Sequence, residues 1–437
     1  MADRDLAENP VRELVRRFFI TFILGVVVYR LGVYIPIPGI NAKALGDLVK
    51  GAGGENDALG AILRYADMFN GGAIANSSIF GLGITPYISA SIIIQLLTFS
   101  IPTLKALQKE GESGRRKINQ YTRYATLVIC IVQSAIAAVA LSQFSSDNVV
   151  LVTMEPRWLF IVQSVLVITT GSMLILWIAE QITKFGIGNG VSLIIMFGIL
   201  AYLPSAFTGF GADLGKYLGV ILVALGIIAA IVLVVQAIRR INLEQQRRVQ
   251  GNKVYGGAQT TLPLKLNQAN VIPVIFASPI MVVLGIIAGK VAGLDQIFAY
   301  GEPGHRYVFA ALIIAFTYFY ISITFDLNDL SNHFKQAGFF VRGIKPGKNT
   351  VDYLSRILVR ITFVGAVFLA LIAILPELIG TSIGLSGHGA AVLLGGTGLL
   401  IVVGVTLDVM QKVSAFFLAN QYQGLSGAGA KKSGKRF

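Results

Sequence analysis

The chain has 437 residues, of which 54% are hydrophobic and 13% are charged, and its formal net charge is +14. A soluble globular protein carries about 25% charged residues, so this composition excludes a soluble enzyme, a disordered chain and a fibrous repeat, and it indicates an integral membrane protein. The single cysteine, Cys130, excludes an internal disulfide and a thiolate metal cluster.

Ten stretches of the chain are apolar enough for a membrane-spanning helix, which needs about 20 residues to cross the hydrocarbon core. The first lies at about 18–35 and is interrupted by Arg30 near its outer end. The others lie in 68–104, 124–146, 158–179, 185–212, 217–238, 266–289, 307–325, 361–376 and, after a Gly-rich start, about 390–408. These runs are uniformly apolar rather than alternating, which predicts an all-α integral membrane protein with ten transmembrane helices.

The basic residues are distributed unevenly between the two sides of the predicted membrane domain. Most of the 36 Lys and Arg residues fall on the side that holds both termini, so the positive-inside rule places both termini in the cytoplasm. Three loops on that side are long and basic, at 105–123, 239–265 and 326–360. We therefore expect the working partners to be cytoplasmic. The first span is long and lacks a small-residue cleavage site, so it is not expected to be a cleavable signal.

Five spans precede residue 210 and five follow it, so the two halves have opposite topology. Such an arrangement permits an inverted repeat with a cavity at its pseudo-symmetry axis. The predicted organisation is an N-terminal half at 1–209, a C-terminal half at 210–423 and a flexible basic cytoplasmic tail at 424–437, which is rich in Gly, Ser, Lys and Arg.

The stretch at 60–76 is irregular, because its short apolar runs are broken by Arg64, Asp67 and the pair Gly71–Gly72. It is too short to cross a bilayer and is predicted to be a half-helix packed inside the bundle. Irregular backbone at membrane depth persists only where protein or a water-filled cavity surrounds it.

Motifs of the common enzyme classes are absent from the sequence. There is neither an HExxH nor a Walker A motif, and the three histidines, His305, His333 and His388, lie far apart. The sequence GIGNG at 186–190 opens a span and follows no strand, which disfavours dinucleotide binding. We therefore expect no enzymatic activity, no cofactor and no metal site.

Polar residues are rare within the spans. Arg30, Glu180 and Asp408 lie at span ends and are predicted to be interfacial anchors. Three others, Gln95, Gln133 and Asn267, have two equally good interpretations, namely helix–helix hydrogen bonding and a functional gate.

Six segments of the chain resemble the SecY family, whose members form the central subunit of the Sec protein-translocation channel. The resemblance extends from about Arg16 to Tyr422 and its motifs occur in the family's order. The segments are GLGITPYISASIIIQLL at 81–97, KEGESGRRKINQYTRY at 109–124, GIGNGVSLII at 186–195, LPLKLNQANVIPVIFAS at 262–278, GIKPG at 343–347 and GGTGLLIVV at 395–403.

The resemblance implies a ten-helix pore in two inverted halves, hinged between the fifth and sixth spans and narrowed by a ring of six apolar side chains. By motif position the ring falls on Ile84, Ile88, Val191, Ile195, Ile275 and Ile401. Residues 84 and 88 share one helix face, as do 191 and 195, although this spacing alone favours a lipid-facing surface. An apolar constriction dewets and blocks ions, and the valine is expected to loosen the ring slightly.

The resemblance also implies a plug and a lateral gate. The segment 60–76 resembles the family's plug, with Met68 and Phe69 expected beneath the ring and Gly71 and Gly72 permitting displacement. The gate runs between the second and seventh spans, where Gln95, Gln133 and Asn267 match its polar cluster. Hydrogen bonds inside membranes average only about 0.6 kcal/mol, so opening such a gate is expected to cost little.

The basic loops 239–265 and 326–360 resemble the surface at which the family docks the SecA ATPase and the ribosome. Positive charge suits RNA phosphates and acidic protein patches. The docking residues implied are Arg239, Arg240, Arg247, Arg248, Lys253, Arg342 and Lys345. Many family members have arginine where this chain has Lys345, which keeps the charge but loses the bidentate geometry, and the stretch 242–253 is divergent.

The implied partners are the SecE and SecG subunits, SecA, the ribosome, polypeptides that carry signal sequences, and membrane lipids, in a bacterial cytoplasmic membrane. ATP would be hydrolysed by the partner motor. A secondary transporter with inverted repeats is the alternative, but it would need a polar site at the membrane midplane, which the spans do not supply. An intramembrane protease would need paired aspartates or a Ser–His dyad within the spans, and the predicted spans have neither.

Overall fold

The computed structural model describes residues 10–50, 67, 70–143, 145–146, 149–150, 152, 154–207, 214–245, 248–250, 253–255, 259–288, 303–382 and 396–432. Helices dominate this part of the chain. They are α1 (Pro10–Phe22), α2 (Tyr29–Val33), α3 (Ala42–Lys50), α4 (Thr85–Ser100), α5 (Pro102–Lys109), α6 (Glu112–Gln143), α7 (Arg157–Phe185), α8 (Gly190–Phe207), α9 (Leu214–Gln236), α10 (Ile272–Ala288), α11 (Pro303–Thr324), α12 (Leu327–Ala337), α13 (Lys348–Ser382) and α14 (Gly396–Lys432). A π-helical turn, Ile23–Val28, joins α1 to α2.

Short strands lie between the helices. They are β1 (Ser145–Ser146), β2 (Val149–Val150), β3 (Ile238–Gln245), β4 (Arg248–Gln250), β5 (Lys253–Tyr255), β6 (Gln259–Lys265) and β7 (Phe339–Val341). They form two antiparallel pairs, β1–β2 and β4–β5, and one three-stranded sheet of order β6-β3-β7.

Each of the ten predicted stretches contains a helix. Within the described residues, five helices are long and apolar enough to cross a membrane, at Glu112–Gln143, Arg157–Phe185, Pro303–Ala337, Lys348–Leu375 and Gly398–Ala419. The bent pair α4–α5 adds a sixth if it is taken as one span. The structure thus gives a multi-span helical protein, and the count of ten remains a prediction.

A proline produces the bend between α4 and α5. The residue before a proline is disfavoured in the helical region, and Ile101, which precedes Pro102, is extended at φ −100° and ψ 116°. It therefore ends α4, and Pro102 begins a new helix that is inclined by 99° to the first.

The chain divides into two compact units. The first contains residues 1–208 and 405–437, and the second contains 209–404. The division falls beside the predicted boundary at 209/210 but differs at the C-terminus, since the larger part of α14 belongs with the first unit. There, Thr406 Oγ1 lies 3.7 Å from the Met196 sulfur of α8.

Small buried side chains lie where helices of the first unit pack together. On α6 they recur at every fourth position, at Thr122, Thr126, Cys130, Ser134 and Ala138, and all five are buried. Such a stripe lets helices approach closely, and the Ser134 hydroxyl lies 3.1 Å from that of Thr169 on α7.

Branched and aromatic side chains pack the second unit. Its main core joins α9, α10, α11, α13 and the start of α14 through Ile227, Ile231, Val274, Ala277, Met281, Phe309, Ile313, Leu369, Ala370, Ile372, Ala373 and Leu400. A separate, smaller core lies around the three-stranded sheet.

The C-terminal helix is longer than expected. The segment 424–437 is predicted to be flexible, but α14 continues to Lys432. Extending an existing helix costs far less than nucleating one.

Candidate functional site

The two longest basic loops meet in one sheet in the second unit. Strand β3 comes from the loop at 239–265 and pairs antiparallel with β6 of that loop, with Arg239 opposite Leu264. Its other edge pairs with β7 of the loop at 326–360, with Leu243 opposite Val341. The sheet therefore makes one structure from two loops that lie about a hundred residues apart in sequence.

This sheet has a hydrophobic core of its own. Seven residues are buried in it, namely Ile241, Leu243, Leu264, Val341, Leu354, Ile357 and Ile361. Side chains of α12, among them Leu330 and Phe334, pack against them. We call the sheet, α12 and the first turns of α13 the platform. Exposed and buried residues alternate along part of β3, so one face of this strand points into the platform core.

The helix α12 is capped at both ends. The Asp326 side chain accepts hydrogen bonds from the backbone N–H groups of Asn328 and Asp329, and Gly338 ends the helix in the left-handed region at φ 73°. Such caps satisfy backbone groups that a helix end leaves unpaired. The platform is therefore a folded module.

The GIKPG turn, at 343–347, projects from the platform. Gly343 and Gly347 have φ of 80° and 107°, which side-chain-bearing residues rarely adopt. Thr350 Oγ1 donates to the carbonyl of Lys345 at 3.1 Å, and Ser331 Oγ donates to that of Gly347 at 3.2 Å. These bonds hold the backbone of the turn while the Lys345 side chain is exposed.

The predicted docking residues occupy different parts of this unit. Arg239 and Arg240 are exposed on β3. Arg248 and Lys253 lie in the β4–β5 hairpin, and Arg247 lies outside the described residues. The Arg342 side chain is 83% exposed and its Nε is 3.8 Å from Glu244 Oε1. A pair this exposed contributes little to stability, so the guanidinium is available to a partner.

The first unit holds the described part of the predicted plug. We call Asp67 and residues 70–84 the Gly-rich segment. Met68 and Phe69 lie outside the described residues. Gly71 and Gly72 have φ of 66° and 86°, so the segment needs both glycines for its conformation.

The predicted ring residues lie on helices of both units. In the first unit, Ile84 is the N-cap residue of α4 and is buried, and Ile88 is half-buried one turn later. On α8, Ile195 is buried and Val191 is half-buried. In the second unit, Ile275 is half-buried on α10 and Ile401 is buried on α14.

The predicted gate residues differ in exposure. Gln95 is exposed on α4 and Gln133 is half-buried on α6. Asn267 is 3% exposed, and its Nδ2 donates to the carbonyl of Asn270 at 3.2 Å. Its Oδ1 has no hydrogen-bond partner among the described residues. The bond from Asn267 is local and supports Asn270, which has a φ of 50°.

Two of the three predicted interfacial anchors have more specific roles. Arg30 donates from Nη1 to the carbonyl of Gly71 at 2.8 Å. Glu180 accepts two hydrogen bonds from Arg123, at 2.6 and 2.7 Å, which joins the N-terminal part of α6 to the C-terminal end of α7. Sequence reasoning missed these roles because each partner is brought close by tertiary packing. A charged residue inside an otherwise apolar run was the available signal for Arg30.

A further contact secures the loop at 186–190. Thr21 Oγ1 on α1 accepts from the buried backbone N–H of Ile187 at 3.0 Å and donates to the carbonyl of Arg17 at 2.9 Å. Thr183 Oγ1 accepts from the N–H of Gly190 at 2.8 Å. This loop is therefore a structural junction between helices.

Comparison with known proteins gives consistent matches. The SecY family model matches residues 78–410. The chain is 40% identical over 432 residues to the protein translocase subunit SecY of Thermotoga maritima, covering 98% of both chains. It is also 40% identical over 439 residues to that of Escherichia coli K12, covering 96% of both. These matches confirm the resemblance stated from the sequence.

Solved structures of the same fold are also similar. One is described as the structure of a protein conducting channel, with a TM-score of 0.63 at 17% identity over 93% of both chains. Another is Sec61 in a canine ribosome–channel complex from the endoplasmic reticulum, with a TM-score of 0.58 at 16% identity over 93% of both chains.

Proposed function

This chain belongs to the SecY family, and we propose that it moves unfolded secretory polypeptides across the membrane and releases transmembrane segments sideways into the lipid. It is a protein-conducting channel and a multi-pass protein of the bacterial cytoplasmic membrane. The observation that carries this conclusion is 40% identity to a SecY translocase subunit over 98% of both chains. The alternative of a secondary transporter has no support from these relatives.

We propose that the channel has ten spans in two inverted halves with both termini in the cytoplasm. The helix found in each predicted stretch supports the count, and the distribution of Lys and Arg supports the orientation. The segment around 60–76, including the described glycines, is proposed to be the plug.

The seal is proposed to be an apolar ring at the pore. Ile84, Ile88, Val191 and Ile195 on the first unit and Ile275 and Ile401 on the second are its proposed members. Branched apolar side chains exclude ions by dewetting and offer no hydrogen bonds that would hold a passing polypeptide.

Sideways release is proposed to occur at a gate that includes Gln95, Gln133 and Asn267. The unpartnered Oδ1 of buried Asn267 supports this role, because such an atom is costly to keep buried. An apolar signal segment gains roughly 25 cal/mol per Å2 on entering lipid, which favours its exit.

Docking of cytoplasmic partners is proposed to occur on the platform. Its folded core presents Arg239, Arg240, Arg342 and Lys345 on a fixed backbone, and preorganised contacts lose less entropy on binding than contacts on flexible loops. The SecA ATPase and the ribosome are the proposed partners, with SecE and SecG as accessory subunits. The motor would hydrolyse ATP, so the chain itself needs no cofactor and acts as a non-enzymatic channel subunit.

Export into proteoliposomes tests this function. The chain is reconstituted with SecE and SecG, and an unfolded secretory precursor, SecA and ATP are added. Time-dependent protection of the precursor from external protease is the expected result. Ion-coupled uptake of a small solute, without precursor protection, would instead support the transporter alternative.

A further inference from the structure

The Gly-rich segment is attached at two places to residues 29–37, by different kinds of contact. At its C-terminal end the attachment is mostly between backbones. The N–H of Ile37 donates to the carbonyl of Ser77 at 2.7 Å, and that of Ile79 donates to Ile35 at 3.0 Å. Paired backbone bonds of this kind resemble a short strand pairing, so this end is firmly fixed.

At the N-terminal end, side chains make the attachment. Tyr29 Oη donates to the carbonyl of Asn70 at 3.1 Å. Arg30 Nη1 donates to the carbonyl of Gly71 at 2.8 Å, and its Nη2 donates to Tyr34 Oη at 3.1 Å. The Arg30 guanidinium also lies 5.1 Å from the centre of the Tyr34 ring. Two adjacent side chains thus hold two adjacent carbonyls of the segment.

The segment keeps its own shape by internal bonds. The buried Asp67 carboxylate accepts from the N–H groups of Ile74 and Ala75 at 2.7 and 3.0 Å. Asn70 Nδ2 donates to the carbonyl of Gly81 at 2.9 Å. The two Asp67 bonds lie on one side of residues 77–79 and can persist if the segment turns there, whereas the Asn70–Gly81 bond spans these residues and must break.

Packing contributes little to holding Gly71 in place. A Cβ at this position would lie only 3.0 Å from the Cα of Gly198 on α8, so two glycine backbones face each other. A side-chain-free contact provides few dispersion contacts. Residues 70 and 71 are therefore held mainly by hydrogen bonds, from Tyr29, from Arg30 and between Asn70 and Gly81, whereas Ile74 and Ala75 further along pack against Leu45 and Val49.

We propose that Tyr29 and Arg30 form a latch that keeps the Gly-rich segment closed, and that residues 70–76 swing outward about the Ser77–Ile79 end when these two bonds and the Asn70–Gly81 bond break. The inference rests on the proposed function, in which this segment belongs to the plug, and it assigns the residues that position it. Neither residue contacts the polypeptide in this role, so both are positioning residues.

Conductance of resting channels in planar bilayers tests the latch. A hydrogen bond within a membrane is worth about threefold in an equilibrium, and a charge-assisted one roughly tenfold. Tyr29→Phe should therefore raise the resting open probability about threefold and Arg30→Met roughly tenfold. Arg30→Lys, which can still donate to the Gly71 carbonyl, should restore most of the seal.

Tyr34→Phe is the matched control. It removes the hydroxyl that Arg30 Nη2 contacts but keeps an aromatic ring beside the guanidinium and leaves the bond to Gly71 intact. Its conductance should equal that of the parent. Tyr29→Phe retains the stacking of residue 29 on Phe80, whose ring centres lie 6.0 Å apart, so it decides the question if Arg30→Met does not assemble.

Parental conductance in Tyr29→Phe and in any Arg30→Met channel that assembles would overturn the latch. A Tyr34→Phe channel that leaked as much as the Tyr29→Phe and Arg30→Met channels would also overturn the latch, because the leak would then not be specific to the two carbonyl bonds. Export of an ordinary precursor by the parent is measured in parallel. Failure of that export refutes the proposed function, whereas normal export with unchanged conductance refutes the latch alone.

Discussion

The platform and the membrane helices of the second unit have separate hydrophobic cores. Truncating one buried leucine of the platform should therefore impair docking of SecA and leave assembly of the channel intact. Leu354 is 1% exposed and packs in the platform core on the first turns of α13. Truncation of such a leucine to alanine costs about 2–5 kcal/mol. With seven buried residues in the whole core, this loss is a large fraction of the platform's stability, whereas the membrane helices have their own separate core.

We therefore expect Leu354→Ala to loosen the platform while the protein still inserts and assembles. A loss of 2 kcal/mol raises the open population about 30-fold, so limited proteolysis between β3 and β6 should accelerate by at least about that factor, and SecA-driven export should fall. Leu371→Ala is the control, because Leu371 lies on the same helix but is 52% exposed. Equal proteolysis of both variants, or normal export from a rapidly cleaved platform, would refute this reasoning.

Three further changes test the first unit. Replacing both Ile84 and Ile195 with glycine should make resting membranes leak small ions, and parental conductance would count against the ring. Thr21→Val leaves a buried backbone N–H unpaired and should lower the free energy of unfolding by about 1–3 kcal/mol in thermal melts, whereas Thr21→Ser should not. Gly32→Ala places a Cβ where it would overlap the Phe80 ring, so we expect reduced recovery of folded protein on size exclusion, partly restored by Phe80→Leu.

Hydropathy predicts the helices of this fold well because the membrane demands long apolar runs, and those runs are explicit in the sequence. Helix breaks are equally local, as at Pro102, where the proline itself sets the bend. The tail was harder to predict, since its composition is typical of flexible segments and only its continuity with a long helix favours helical structure.

The platform could not be predicted from sequence in the same way. Strand β3 carries Arg239, Arg240 and Glu244, which obscure its alternating pattern, and its partner β7 is supplied by a loop far along the chain. The role of Arg30 was hidden for a related reason. Its acceptor is a backbone carbonyl, which no residue type reveals, and it lies 41 positions away.

Charge reversal at the tip of the platform tests the central claim most directly. Lys345 is exposed in a turn whose backbone is held by Thr350 and Ser331, so Lys345→Glu should not disturb folding or assembly with SecE. A like-charge contact lowers both affinity and association rate, and SecA-driven export into proteoliposomes should fall by at least about tenfold. Lys345→Arg should retain full export or exceed it through bidentate bonding, and Lys43→Glu, a charge reversal on α3 of the first unit, should export normally. Parental export by Lys345→Glu, with the complex recovered intact, would contradict a platform that couples the motor to a protein-conducting channel.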